Sequence, residues 1–146
     1  MTTIFSKIIR GEVPASFVYQ DDKVSAFLDV QPINPGHVLV VPNQEVSSLA
    51  DLDEETGTHL FRIAHRIAKA LRQSGLRCEG VDLVLADGKT AGQNIMHLHW
   101  HVFPRFKGDG FDWQIGRNRL ELTQREELDQ TAETIQSVLE KIEWYY

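Results

Sequence analysis

The chain has 146 residues, of which 42% are hydrophobic and 25% charged, and its formal net charge at pH 7 is −6. This composition is typical of one globular domain with a hydrophobic core, and the acidic balance without a basic stripe argues against nucleic-acid binding. There is no apolar run near the roughly 20 residues of a membrane span, no apolar signal-peptide core, and one cysteine, Cys78. We therefore expect a cytoplasmic protein with no disulfide, no paired-cysteine zinc site, no membrane association and no nucleic-acid partner.

Short apolar segments and turn residues alternate through the first third of the chain. We predict a short helix or turn at 4–9, a strand at 17–20 and a returning strand at 24–29, the two strands being joined by a polar turn. Two prolines and a glycine make 31–36 a loop. The near-continuous apolar run 37–42 is typical of a buried central strand.

The longest predicted helix follows, with Asp51 or Asp53 as its N-cap and Gly75 as its stop. Its buried stripe, at helical spacing, comprises Leu60, Ile63, Ala64, Ile67, Ala70 and Leu71. Residues 81–86 are predicted to form another strand, and 87–92 a flexible loop that leads into a histidine-rich segment.

The C-terminal part begins with residues 106–119, which have no clear periodicity. Thr123 to Glu126 matches a capping box and opens a last helix over about 123–141. The residues predicted to face inward from this helix are Leu128, Ala132, Ile135 and Leu139. About five strands and two main helices, with hairpin-length connections early in the chain, predict an α+β fold with a mostly antiparallel sheet.

Three histidines, His97, His99 and His101, alternate with apolar residues in the segment 92–105. In an extended strand this period of two places all three on one face, with neighbours roughly 6.5–7 Å apart. Imidazole serves proteins as a nucleophile, a proton shuttle or a metal ligand, so the pattern indicates a reactive site. A zinc site on the three histidines is the main alternative, although no carboxylate or thiol lies beside them in the sequence.

The alternation of histidines and apolar residues from His97 to Phe103 resembles the signature of the histidine triad (HIT) family of nucleotide hydrolases and transferases. Further blocks that resemble the family are residues 4–15, 26–30, 35–42 and 91–93. The resemblance is strongest over 4–106, and within the family the sequence resembles a bacterial-type member of the Hint-like branch. It implies a single HIT domain over 1–146, a HIT-like fold and a homodimer, and it implies no cofactor and no metal.

The resemblance also implies a chemical role for each histidine. His99 attacks the α-phosphorus of a purine nucleoside 5′-phosphoramidate or similar nucleotidyl conjugate, and water then hydrolyses the covalent nucleotidyl-histidine intermediate. His101 binds the phosphoryl oxygens and assists the leaving group, while His97 and His37 orient the other two. Because attack needs a neutral imidazole, repulsion among the close histidines helps to keep them unprotonated. Without the family block around it, His37 would be interpreted as an ordinary core histidine.

The resemblance implies a nucleotide pocket next to the histidines. The residues that match it are Phe5, Ile8, Phe27 and Val30 for the base, Asp29 for the ribose hydroxyls, and Gly92, Gln93 and Asn94 for the phosphate. The four apolar residues could instead be core, and Asp29 a turn residue. Gly88 and Gly92 are expected to let backbone N–H groups approach a phosphate closely. Lys89 and Arg105 either help to hold polyphosphate or are exposed charges.

One position departs from the family pattern. The family commonly has Asn or Gln eleven residues before His97, near the scissile bond, where this chain has Ala86. Loss of such a donor costs about 1–3 kcal/mol if it was engaged there. The sequence therefore leaves open two alternatives to phosphoramidate hydrolysis: a dinucleoside polyphosphate hydrolase, and a nucleotide-binding or interaction protein with residual catalysis.

Overall fold

The computed structural model of the protein describes residues 2–113 and 121–142. The chain divides into two compact units, residues 1–109 and residues 110–146. The expectation of a single domain over 1–146 stays a prediction. Among the helices of the described residues, none combines the length and the apolar character needed to cross a membrane.

The N-terminal unit is built on a five-stranded sheet. Its strands are β1 (Phe17–Gln20), β2 (Val24–Leu28), β3 (Val38–Pro42), β4 (Gly80–Leu85) and β5 (Trp100–Arg105). Their order in the sheet is β1-β2-β3-β5-β4, and every neighbouring pair is antiparallel. The predicted α+β class with an antiparallel sheet is confirmed, and β1 to β4 lie within one residue of their predicted bounds.

One face of the sheet is covered by the long helix α2 (Glu54–Gln73). Its N-cap is Asp53, whose carboxylate accepts the Thr56 N–H at 2.9 Å. The predicted stripe is buried and packs on β2, β3 and β5, except for Ala70, which is exposed. The prediction that Ala70 is buried is wrong, and its exposure leaves only a single methyl group in solvent.

The other face of the sheet carries the short helix α1 (Ile4–Ile9). Successive residues of β3 face opposite sides, as the pleat of a strand requires. Val38 and Val40 belong to the core under α2, while Leu39 and Val41 pack with α1 in a second core. The chain thus places a helix on each side of its central strand.

β5 begins at Trp100, so that of the three alternating histidines His101 lies in the strand and the two earlier ones precede it. The prediction of one strand through all three histidines is wrong over its first part. The Leu98 N–H donates to the carbonyl of Val46 at 2.7 Å instead of entering the sheet ladder. An alternating pattern shows which residues share a face when the chain is extended, but it does not show where pairing begins.

The C-terminal unit contains helix α3 (Arg125–Leu139). Its N-cap is Gln124 with no side-chain cap bond, so the predicted capping box beginning at Thr123 is wrong. The residues predicted to face inward are all exposed: Leu128, Ala132, Ile135 and Leu139. Helix α3 contains no buried residue. Amphipathic spacing gives a helix an apolar face but does not supply a surface that covers it. The predicted non-periodic segment 106–119 is described as far as residue 113.

Candidate active site

Four histidines cluster beside β3 and β5. The ring centroids of His99 and His101 are 4.8 Å apart, and those of His37 and His101 are 5.2 Å apart. His37, His97 and His99 are buried, and His101 is half-buried. Three of the four, all except His97, line a cavity of about 410 Å³. Phe5 packs edge-on against His97 and His99 and so joins α1 to the cluster.

The tautomer of His99 follows from its hydrogen bond. Its Nδ1 lies 2.7 Å from the backbone carbonyl of His97, which can only accept, so Nδ1 carries the proton and donates it. The lone pair of the neutral ring is therefore on Nε2. Among residues 2–113 and 121–142, no group forms a hydrogen bond with Nε2. Every buried side-chain nitrogen in these residues has a partner, so Nε2 is not buried and is open to the cavity. An accessible, unprotonated nitrogen is what a nucleophile needs.

The tautomer of His101 is set through His37. Nδ1 of His37 lies 3.0 Å from the N–H of Ile33, which can only donate, so Nδ1 carries the lone pair and Nε2 the proton. This proton is donated along a 3.0 Å bond to Nδ1 of His101. His101 therefore carries its own proton on Nε2, where it can be donated to a bound anion.

His97 is fixed at both ring nitrogens. Its Nε2 donates to the carbonyl of Pro42 at 2.8 Å, and its Nδ1 accepts from the hydroxyl of Thr3 at 2.8 Å. The side chain is fully buried and does not line the cavity. His97 therefore affects a ligand indirectly, through the carbonyl that it presents to His99 and through its contact with Phe5.

Burial lowers the pKa of all four histidines below the ordinary value of 6.5. For His101, burial and the neighbouring His99 and His37 lower the pKa to about 4. The carboxylate of Asp29 opposes burial and raises the pKa of the three cavity histidines, but by less than burial lowers it. The cluster is therefore neutral at pH 7, in agreement with the tautomers that the hydrogen bonds define.

The structure brings most of the predicted nucleotide-pocket residues together. Those that line the cavity with the histidines are Phe5, Ile8, Phe27, Asp29, Val30 and Asn94. Val30 is 93% exposed and lies at the rim of the cavity. Phe5, Ile8 and Phe27 are buried in the core around α1 and also line the cavity, so they are both core residues and lining residues. Asp29 accepts the N–H of Gln31 at 2.9 Å, as a turn residue does, and its second oxygen lies 3.7 Å from Nε2 of His37.

The loop predicted to hold phosphate is closed by its own hydrogen bonds. Gln93 is buried, its side-chain oxygen accepts the Gly88 N–H at 2.8 Å, and its amide nitrogen donates to two backbone carbonyls. The Gly92 N–H donates to the carbonyl three residues before it at 3.0 Å. The N–H groups of both glycines are therefore used within the loop, and their φ values of 105° and 103° serve its turns. Of the three predicted phosphate contacts, Asn94 is the one placed at the cavity.

No lysine or arginine is found among the described residues that line the cavity. Arg105 forms ion pairs with Asp82 at 2.8 Å and with Asp109 at 2.6 Å. It is therefore neither an exposed charge nor a residue that lines the cavity, where it could contact a polyphosphate. Asp109 also accepts from the amide of Asn34 at 2.9 Å, which anchors the loop before β3. Lys89 is exposed and lies outside the cavity lining.

The ligand atoms of Asp29, His37 and His101 lie within 4.8 Å of one another, but their hydrogen bonds do not fit a metal site. A metal-bound histidine donates its second ring N–H to an acceptor. The second nitrogen of His37 instead faces the N–H of Ile33, which is a donor. For the alternative of zinc on the three alternating histidines, both ring nitrogens of His97 already have hydrogen-bond partners, so a metal ion would have to replace one of them.

Three residues that fix the histidine tautomers were missed by the sequence analysis: Thr3, Ile33 and Pro42. Ile33 and Pro42 act through backbone groups, which carry no residue-type signal. Thr3 did leave one signal, because a threonine directly before an apolar turn is a preferred N-cap, and its hydroxyl accepts the Ser6 N–H at 3.1 Å. Nothing in the sequence connected that cap to the histidines.

The antiparallel sheet and the histidine cluster define a histidine triad protein, and the chain belongs to the HIT family, whose domain model matches residues 10–108. A curated relative, the purine nucleoside phosphoramidase of Escherichia coli strain K12, is 40% identical over 100 residues, covering 68% of this chain and 84% of the relative. Among solved structures, a HIT family protein from Bacillus anthracis has a TM-score of 0.82 at 33% identity, covering 94% and 96% of the two chains. A zinc-bound histidine triad family protein from Mycobacterium smegmatis has a TM-score of 0.73 at 34% identity, covering 98% and 99%. The resemblance inferred from the sequence is confirmed.

Proposed function

We propose that this protein is a nucleotide hydrolase that cleaves the α-phosphorus bond of purine nucleoside 5′-phosphoramidates, or similar nucleotidyl conjugates, through a covalent intermediate on His99. The observation that carries the proposal is the bond from Nδ1 of His99 to the carbonyl of His97, which leaves an unprotonated Nε2 open to the cavity. The name of the Escherichia coli relative, a purine nucleoside phosphoramidase, supports the same reaction class here.

In the first step, the lone pair on Nε2 of His99 forms a bond to the α-phosphorus while the bond from phosphorus to the leaving nitrogen breaks. The leaving nitrogen keeps the electron pair and takes a proton from solvent at the cavity mouth. The ring becomes a positively charged phosphoryl-imidazolium, and its Nδ1–H still donates to the carbonyl of His97. The carbonyl dipole stabilises this charge as it forms, and Nε2–H of His101 donates to a phosphoryl oxygen.

In the second step, a water oxygen attacks the phosphorus and the bond from phosphorus to Nε2 breaks. The proton of the attacking water goes to solvent, and His99 returns to its neutral tautomer as a nucleoside 5′-monophosphate leaves. During both steps the base would lie against Phe5 and Phe27, the ribose hydroxyls would donate to Asp29, and the Asn94 amide would donate to the phosphate.

The charge of the cavity favours a substrate with one phosphorus over a dinucleoside polyphosphate. A chain of phosphates carries several negative charges, which proteins compensate with lysine, arginine or metal ions. The described cavity lining offers neutral imidazoles, the amides of Gln31 and Asn94 and the carboxylate of Asp29, but no cationic side chain. We therefore place dinucleoside polyphosphates second, to be distinguished by comparing kcat/KM for the two substrate classes.

The alternative of a nucleotide-binding or interaction protein rests on Ala86. This residue follows β4 and is not among the residues that line the cavity, so it supplies no donor there. A binding protein would hold purine nucleotides in the same cavity with turnover barely changed by His99→Ala.

The decisive experiment is intact-protein mass spectrometry under denaturing conditions after brief exposure to an adenosine 5′-phosphoramidate. We expect a mass gain of one nucleoside monophosphate in the wild type and none in His99→Ala. His65→Ala is the matched control, since His65 is an exposed histidine on α2, and it should form the adduct like the wild type. A metal chelator should leave the adduct unchanged.

Two results would contradict the proposal. The first is nucleotide binding without adduct or turnover, which would support the binding-protein alternative. The second is activity that a chelator removes, which would restore the metal alternative.

We also propose that the protein is a homodimer, as membership of the family suggests. β4 is an edge strand that pairs with β5 alone among the described strands, and an edge is suited to pairing with another chain. An open groove of about 710 Å³ beside it is lined by apolar residues that include Phe61, Leu85 and Trp100. Light scattering should give twice the mass of the chain, and Phe61→Asp should lower it; a monomer in the wild type would contradict the proposal.

A further inference from the structure

We propose that Thr3 is a positioning residue for the nucleophile and acts through His97. The inference rests on the function proposed for His99, because it concerns the carbonyl that holds His99 in its reactive tautomer. Thr3 lies 94 positions before His97 in the chain, and it does not line the cavity. It therefore acts without touching the substrate.

The carbonyl of His97 is not held by the sheet. Residue 97 precedes β5, and the N–H that follows it, of Leu98, donates to the carbonyl of Val46. This N–H belongs to the same planar peptide unit as the carbonyl of residue 97, so the bond to Val46 holds that unit from one side. The His97 ring holds it from the other, because the ring is fully buried and hydrogen-bonded at both nitrogens, to the carbonyl of Pro42 and to the hydroxyl of Thr3. The first of these partners is a fixed backbone group, and the second is a side chain that mutation can remove.

The hydroxyl of Thr3 has one proton, and its hydrogen bonds fix where that proton goes. The oxygen accepts the N–H of Ser6 at 3.1 Å. Two acceptors lie near its proton, Nδ1 of His97 at 2.8 Å and the hydroxyl oxygen of Ser6 at 3.4 Å, and the proton goes to the closer one, a ring nitrogen with a lone pair. Glu45 holds this arrangement, because one of its oxygens accepts the Thr3 N–H at 2.8 Å and the Ser6 hydroxyl at 2.7 Å. Thr3 thus caps α1 and donates to His97 at the same time.

Removal of the hydroxyl would leave Nδ1 of His97 without a donor in a buried site. The ring could then shift or change tautomer, and the carbonyl of residue 97 would move with it. The bond from Nδ1–H of His99 would lose its alignment, although this bond sets the attacking lone pair and stabilises the charge of the intermediate. We expect slower formation of the intermediate, with a smaller change in nucleotide binding.

Two substitutions separate hydrogen-bond donation from shape. Thr3→Val has nearly the same shape but no hydroxyl, whereas Thr3→Ser keeps the hydroxyl. Thr2→Val is the matched control on an exposed neighbour. Loss of the helix cap alone would act on Phe5 and Ile8, which lie on α1 and line the cavity, and would appear as weaker nucleotide binding.

The experiment measures kcat, KM and the rate of adduct formation with an adenosine 5′-phosphoramidate, together with the ¹⁵N NMR shifts of the histidine rings. For Thr3→Val we expect kcat to fall about tenfold, because a buried acceptor has lost its donor, and any rise in KM from the lost helix cap to be smaller than this fall. Thr3→Ser should restore kcat, and Thr2→Val should equal the wild type. The ¹⁵N spectrum should show His97 protonated at Nε2 in the wild type and a shifted Nδ1 signal in Thr3→Val.

Unchanged kcat in Thr3→Val, a raised KM with unchanged kcat, or failure of Thr3→Ser to restore activity would each overturn the inference. If the wild type formed no adduct, the proposed function would fail, and the NMR comparison would still decide the link between Thr3 and His97. An Nδ1 signal that is identical in the wild type and Thr3→Val overturns that link. If Thr3→Val does not fold, a wild-type His97 that carries its proton on Nδ1 alone overturns it.

Discussion

The two ends of the histidine segment are held in different ways. Before β5, the rings of His97 and His99 donate to backbone carbonyls, those of Pro42 and of residue 97 itself. Inside β5, the backbone of His101 pairs with β3 and β4, and its ring accepts from another histidine, His37. A carbonyl accepts at every pH, whereas an imidazole changes its role when it is protonated.

This difference separates a fixed end from a titratable end. The proposed nucleophile has one tautomer, because its partner cannot change. His101, which is proposed to face the phosphoryl oxygens, has a tautomer that depends on His37, a neighbour that can gain a proton. Substitutions at the fixed end are therefore expected to abolish the chemistry, and those at the titratable end to slow it and to alter its pH dependence.

The largest effect is expected for His99→Ala. Removal of the nucleophile should lower kcat/KM by about 10³-fold or more, because no other group can form the covalent intermediate. Steady-state hydrolysis of an adenosine 5′-phosphoramidate measures this, with circular dichroism to confirm the fold. Residual activity within tenfold of the wild type would show that the fixed end does not carry the reaction.

His101→Ala should lower kcat by about 10²-fold, since it removes one donor to the developing charge but leaves the nucleophile in place. The adduct should still form, only more slowly, and rapid-quench mass spectrometry can follow it. Complete loss of the adduct would mean that His101 is as necessary for formation of the intermediate as His99, and would contradict the expected difference between the two ends of the segment.

A smaller effect, about tenfold in kcat, is expected for His37→Leu, because His101 then loses the donor that fixes its tautomer. His37 also helps to lower the pKa of His101, after burial and His99, so its removal should raise that pKa. The acid limb of the pH–rate profile should then begin at a higher pH than in the wild type. A profile that does not move would argue against coupling between the two rings.

The smallest effect concerns stability. The four cluster histidines have pKa values below 6.5 in the folded protein, so the unfolded chain binds protons first as the pH falls. Their contribution is present above about pH 6.5 and is lost as the pH falls toward the folded values, by about 1 kcal/mol from His101 alone between pH 7 and 5.5. Urea unfolding at the two pH values measures this loss, which should be smaller in His101→Ala. Equal loss in both proteins would contradict it.

The sequence predicted β3 and α2 well because burial decides their patterns. The continuous apolar run of β3 and the spacing of Leu60, Ile63 and Ile67 on α2 have few other solutions. α3 shows the opposite case. Its apolar stripe has helical spacing like that of α2, yet Ile135 is 61% exposed. Periodicity predicts that a helix has an apolar face but not whether another element covers that face.

The candidate site could be predicted only where it is local in the sequence. The spacing of the triad pointed to His99 and its neighbours, and a family block pointed to His37. The partners that decide which nitrogen carries each proton, such as the N–H of Ile33, are backbone groups far away in the chain. Gln93 shows a related limit, because a polar residue beside a triad is equally able to face a ligand or, as here, to bond its own loop.

The lack of cationic side chains in the described lining of the cavity has a consequence for the end of each reaction cycle. The product is a dianion, and neutral donors hold a dianion less tightly than ammonium or guanidinium groups do. The chain as a whole is negative and repels it further. For the proposed reaction we therefore expect fast departure of the nucleotide, little inhibition by accumulated product, and a slow step in making or breaking the bond between nitrogen and phosphorus.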